Sequence, residues 1–138
     1  MPSPPPSGVP ADRAPDLPAV ARRFCRYVRV DTTSDPASDA TPSTARQLDL
    51  CRILVDDLRE IGLTDVEMDD AGVVYATVPG TAPDAPVVAL SAHVDTSPDA
   101  PGADVQPLVH AAWDGRPFVL PGDPALVFDP AFDADLAG

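Results

Sequence analysis

The sequence contains no lysine: all nine basic residues are arginine, set against 22 acids, for a formal net charge of -13. A chain so short of positive charge is repelled by phosphate backbones and by anionic lipid surfaces, so neither nucleic acid nor membrane is expected as a partner. Aromatic residues make up only 5%, and there are just two cysteines, Cys25 and Cys51. One pair with no metal-type spacing is not a disulfide framework, so both are expected as buried thiols in a reducing compartment. No apolar run approaches the roughly 18 residues that a spanning helix requires. The opening MPSPPPSGVPADRAPD lacks the basic and apolar regions of a signal peptide, which makes the cytoplasm the expected location.

What the chain has in excess is proline, 19 of 138 residues, which implies many loops and few long elements. With 44% hydrophobic and 22% charged residues, most of it reads as globular. Residues 1–15 read as a disordered proline-rich leader and residues 16–138 as part of one domain. A helix is predicted over residues 17–30, with Asp16 as its cap and Val20, Phe24 and Val28 on one apolar face. Arg22, Arg23, Arg26 and Arg29 fall largely on the other side, which is expected to be solvated.

The run Asp31–Pro36 breaks that helix, and Ser43 or Thr44 can cap a second one. Its core stripe is expected through Leu48, Cys51, Leu54 or Val55, Leu58 and Ile61, with Gly62 as the left-handed terminator. The period then changes. Val66 and Met68 alternate with acids, Asp70-Ala71-Gly72 forms a turn and Val73–Val78 has strand propensity, together a β-hairpin. Val87–Ala92 is a short continuous apolar run, expected as a central strand covered on both faces. The order implies an α/β fold of two helices and a mixed sheet of about three strands. Such a sheet needs more cover than the remaining residues provide, so an incomplete part of a larger domain is expected.

His93 and Asp95 sit where that strand would end, the place where ligands gather in open α/β sheets. Residues two apart on extended backbone project to the same side. A neutral His93 imidazole can then bind zinc while the Asp95 carboxylate holds its other nitrogen and fixes the tautomer. A histidine ending a strand also serves as a structural residue, and the triplet alone does not separate the two readings. His110, in a loop-like segment with Val109 and Trp113, is a weaker second candidate.

The stretch Ala89-Leu90-Ser91-Ala92-His93-Val94-Asp95-Thr96-Ser97-Pro98-Asp99 resembles the first metal motif of the peptidase T family, cytoplasmic tripeptide aminopeptidases with two zinc ions. Phe24–Val28 with Val30–Ser34 resembles that family's opening helix and Asp-Thr turn. Pro42-Ser43-Thr44 with Gln47 resembles the start of its second helix, and Gly122-Asp123 with Asp129-Pro130 the approach to its next metal motif. The resemblance implies zinc-dependent release of the N-terminal residue of a tripeptide, with His93 as one zinc ligand and Asp95 as the carboxylate that orients it. It implies small peptides as substrates and a homodimer for the full-length enzymes.

The family's remaining ligands have no counterpart here. It uses a bridging aspartate, an adjacent Glu-Glu pair, a further acid and a late histidine, whereas the only glutamates in this sequence are Glu60 and Glu67. Asp129, Asp133 and Asp135 do not fall in the bridging motif. The chain is therefore expected to be an N-terminal portion of such an enzyme, inactive alone. Two alternatives stand beside this: a non-catalytic folded remnant that binds a partner, and a deacylase or carboxypeptidase of the same wider family.

Overall fold

The computed structural model describes residues 8–110 and 113–132. The elements in chain order are β1 (Val9–Pro10), α1 (Ala19–Tyr27), α2 (Gln47–Ile61), β2 (Thr64–Met68), β3 (Val74–Thr77), β4 (Leu108–Val109), β5 (Phe118–Leu120) and β6 (Asp123–Phe128), with short 3-10 turns at Ala11–Arg13 and Pro130–Phe132. The class is α/β, as the sequence implies. The strands form three separate two-stranded antiparallel ladders, β1–β4, β2–β3 and β5–β6, and the parallel contribution is a single bridge between Thr33 and Thr96. The chain divides into two compact units, one of residues 23–105 and one of residues 1–22 with 106–138. No helix among the described residues is long and apolar enough to cross a membrane.

Helix α1 is shorter than the 17–30 expected. Asp16 has φ 58°, outside the extended conformation a cap residue adopts, and the first turn closes instead through Arg22 N–H to the Pro18 carbonyl at 3.0 Å. At the other end Val30 N–H turns back to the Tyr27 carbonyl at 3.0 Å, which tightens the chain before Asp31. Val20 and Phe24, expected in the core, are exposed.

Helix α2 matches its expected span but not its expected cap. Arg46 precedes it and makes no side-chain cap bond. The two hydroxyls proposed for that role are engaged elsewhere. Ser43 Oγ accepts from Asp35 N–H and Gln47 Nε2, both at 3.1 Å, and Thr44 Oγ1 donates to the Thr33 carbonyl at 2.9 Å. Gly62 ends the helix at φ 92°, and Leu63 N–H reaches the Leu58 carbonyl at 3.1 Å, the left-handed closure its position predicts.

The buried stripe of α2 is Gln47, Leu50, Cys51 and Asp57, not the line through Leu48 and Ile61. The reason lies on α1. Tyr27 Oη donates to Asp57 Oδ2 at 2.5 Å, Arg26 pairs with Asp57 Oδ1, and Arg23 Nε lies 3.9 Å away. A buried carboxylate needs such partners, so two of the arginines expected on a solvated face instead clamp the helices together. Cys51 is buried and Cys25 half-buried, both as free thiols.

The hairpin β2–β3 forms as predicted. Glu67 faces Tyr75 and Met68 faces Val74, with an irregularity in register between Thr64 and Glu67. Asp69 shapes the turn, its Oδ1 accepting from Ala71 N–H at 3.0 Å and Val73 N–H at 2.8 Å. The expected central strand does not form: Val87–Ala92 belongs to no ladder, and Val87 and Leu90 are 98% and 97% exposed. Strand conformation needs a neighbour on at least one edge, and the described residues bring none to this run.

In the other unit, residues 8–13, assigned to the leader from the sequence, contribute β1 and a 3-10 turn; residues 1–7 lie outside the described residues. Val9 pairs with Val109 and Pro10 with Leu108. Phe118, Phe128, Trp113 and His110 form an aromatic cluster, with Phe118 and Phe128 centroids 5.1 Å apart. The buried apolar residues among those described are only Ala11, Leu50 and Cys51.

Candidate functional site

After α1 the chain makes a tight polar turn, and this turn holds the segment that carries His93. Asp31 Oδ1 accepts from Thr33 N–H at 3.0 Å and from Thr33 Oγ1 at 2.6 Å, an Asx-type closure two residues long. Its other oxygen pairs with Arg46 Nη1 at 2.6 Å. The Thr33 hydroxyl, its backbone N–H and Arg46 together hold the Asp31 carboxyl down to about 2. The shaped backbone then grips Thr96: Thr96 N–H donates to the Thr32 carbonyl at 3.1 Å, and Ser34 N–H donates to the Thr96 carbonyl at 2.9 Å.

His93 stands three residues before that grip. Its Nδ1 lies 2.8 Å from the Asp95 carbonyl oxygen and 3.1 Å from Asp95 Oδ1. Both neighbours are acceptors, so the hydrogen-bond network assigns the proton to Nδ1 and leaves the Nε2 lone pair open. The structure thus brings together the two residues singled out from sequence, although the backbone between them is not part of a ladder. The imidazole is 82% exposed, with Nε2 facing no recorded partner among the described residues. His93 also borders two cavities of its unit. One of about 650 Å³ runs past Cys51, Leu54, Gly72 and Tyr75. The other, of about 620 Å³, is lined by Phe24, Tyr27, Val28 and Leu50.

An open imidazole nitrogen beside an orienting carboxylate is the chemistry of one metal ligand with its outer partner. A catalytic zinc takes about three protein ligands. Among the described residues no group of three His, Cys, Asp or Glu side chains is placed to hold an ion. The described residues therefore offer one donor with an orienting carboxylate, short of the about three protein ligands that a catalytic zinc takes.

The other candidates have surroundings of their own. His110 packs against Phe118 at 5.4 Å in the aromatic cluster of the second unit, with Nδ1 buried and unpartnered, the setting of a packed ring. Asp129 caps a turn through Ala131 N–H at 2.9 Å. Asp133 and Asp135 lie outside the described residues. Glu60 lies in the last turn of α2 and Glu67 in β2, both exposed. What sequence reasoning missed is the part played by Asp31, Thr33 and Thr96. Their signal was the Asp-x-Thr spacing of an Asx turn, legible as a turn but silent about which distant segment it would meet.

No family model matches the chain. Curated relatives do. It is 44% identical over 117 residues to Peptidase T of Listeria monocytogenes serotype 4b (strain CLIP80459), a match covering 84% of this chain and 28% of that protein. It is 43% identical over 109 residues to Peptidase T of Bacillus cereus (strain B4264), covering 78% of this chain and 27% of the relative. With Peptidase T of Geobacillus kaustophilus (strain HTA426) the identity is 42% over 116 residues, 83% of this chain and 28% of the other. The chain thus spans little more than a quarter of the length of these relatives.

Proposed function

The chain is a relative of peptidase T, and we propose that it forms part of a metal-dependent aminopeptidase that removes the N-terminal residue of tripeptides. In this reading His93 supplies one zinc ligand through Nε2. Asp95 keeps the ring in the Nδ1–H tautomer and raises the basicity of the donor. The remaining ligands and the general base are supplied from outside this chain, which spans little more than a quarter of its relatives' length. Zinc, when bound in such a centre, polarises the scissile carbonyl and activates a water. This chain's own contribution is to present and orient one donor. A cytoplasmic setting belongs to the same reading, in keeping with the two free thiols.

The observation that carries the proposal is the His93 ring with Nδ1 held by Asp95 and Nε2 open. Zinc titration of the chain is expected to show weak binding that His93→Ala removes and Asp95→Ala weakens by about 10-fold. A tripeptide cleavage assay with added zinc is expected to show no turnover by the 138-residue chain alone. Zinc binding that persists unchanged in His93→Ala would overturn the assignment, and turnover by the isolated chain would overturn the claim that the remaining ligands and base come from outside it.

A further inference from the structure

Among the described residues the hydrogen-bond partners of the His93 ring both belong to Asp95, on its own segment, so the direction of the ring depends on how the backbone from Val87 to Asp99 is held. The backbone of that run has two recorded hydrogen bonds to another segment, and both are made by Thr96: its N–H to the Thr32 carbonyl at 3.1 Å and its carbonyl to Ser34 N–H at 2.9 Å. Ser34 Oγ adds a third contact to the same carbonyl at 3.0 Å. The position of Thr96 is therefore set by the shape of Thr32–Ser34. Thr32 is itself buried.

That shape is imposed by Asp31. Its carboxylate closes on Thr33 through both the backbone N–H and the hydroxyl, and its second oxygen is tied to Arg46 at 2.6 Å, just ahead of α2. Thr44 Oγ1 fixes the far side of the turn by donating to the Thr33 carbonyl at 2.9 Å. Gly102 closes the assembly from the other side. A Cβ there would run into Thr33 Oγ1 and stand 3.1 Å from Asp31 Oδ1 and 3.3 Å from Thr96 Oγ1, so the returning loop lies directly on the turn with no room for a side chain.

We propose that Asp31 is a positioning residue for the His93–Asp95 pair, acting through the Thr33–Thr96 bridge, with Gly102 as the close approach that seals the bridge. The claim rests on the proposed role of His93 only for its consequence in metal binding. The geometric part stands apart from it. Asp31 is not a ligand and not a catalytic residue; it orients a donor from one segment away.

The test uses the whole 138-residue chain and two readouts. The tautomer of the His93 ring is read from long-range proton–nitrogen spectra without metal, and zinc affinity is read by competition with a chromophoric chelator. Wild type is expected in the Nδ1–H form. Asp31→Ala is expected to lose that preference and bind zinc about 10-fold more weakly, while the amide signals of α2 stay in place. Asp31→Asn, whose carboxamide oxygen still accepts from Thr33, is expected to restore the tautomer. A folded Asp31→Ala chain with the wild-type ring spectrum would overturn the proposal. Should Asp31→Ala fail to fold, Gly102→Ala displaces Thr33 with the Asp31 charge intact. A changed ring spectrum then supports the proposal and an unchanged one overturns it. Loss of fold in both variants also overturns it, in favour of a general folding role. If wild type binds no zinc through His93, the functional reading fails, while the tautomer comparison still decides the positioning claim.

Discussion

Asp57 holds a charge where charge is costly, and its surroundings explain how. Burial disfavours the carboxylate, but Tyr27 Oη and the Arg26 and Arg23 guanidiniums outweigh that, and its pKa lies below the ordinary carboxylate value. Burial of the ring, and after it the same contact, push Tyr27 up to about 12. A lowered acid stabilises the fold above its unfolded pKa of about 4 and loses that contribution as pH falls through the folded value. A raised phenol does the converse, contributing fully below its unfolded pKa of about 10 and fading as pH rises toward the folded value. Asp31, held at about 2, adds to the acid limb. Chemical denaturation is therefore expected to give a plateau from about pH 5 to pH 9, falling on both sides. Asp57→Ala should lower stability by about 2 kcal/mol and Tyr27→Phe by about 1 kcal/mol. An acid limb of the same depth in Asp57→Ala would contradict this account.

At the scale of elements, α2 and the β2–β3 hairpin are where local signals and tertiary structure agree. Gly62 shows why: it adopts φ 92°, and an added Cβ would meet nothing within 4 Å, so a substitution there probes the backbone alone. Gly62→Ala is expected to cost about 1 kcal/mol in thermal unfolding. Gly80→Ala, equally open but without a positive φ, should be within about 0.5 kcal/mol of wild type. Equal effects would show that the left-handed cap is not what Gly62 provides. The helix start reads differently from its sequence. Ser43 and Thr44 have the chemistry of caps, yet their hydroxyls face the Asp31–Asp35 turn, a contact 8 to 11 residues away. A cap and a loop tether use the same oxygen, and only the position of the other segment decides between them.

For the whole molecule the governing facts are a net charge of -13 and a buried apolar set, among the described residues, of only Ala11, Leu50 and Cys51. The apolar run Val87–Leu90 is left open to solvent, with the unpaired N–H and C=O groups that make an extended edge prone to association. The double variant Val87→Lys with Leu90→Lys is expected to reduce self-association in sedimentation velocity while changing unfolding free energy by less than about 0.5 kcal/mol. A large loss of stability would mean that the run is buried in solution.

Composition and spacing alone determined the α/β class, the second helix with its glycine terminator, the hairpin, and the His93–Asp95 pair with its likeness to a peptidase metal motif. These rest on short-range physics: the helical period, turn chemistry, and the alternation that sets residues two apart on one side. Tertiary structure decided the rest. It turned two surface arginines into partners of a buried Asp57. It left the expected central strand unpaired, with no neighbour at its edges among the described residues. It also joined Thr33 to Thr96 across 63 positions, beneath the site. Each of these depends on which distant groups meet, and a hydrogen bond or an ion pair carries no mark of its partner in the local sequence.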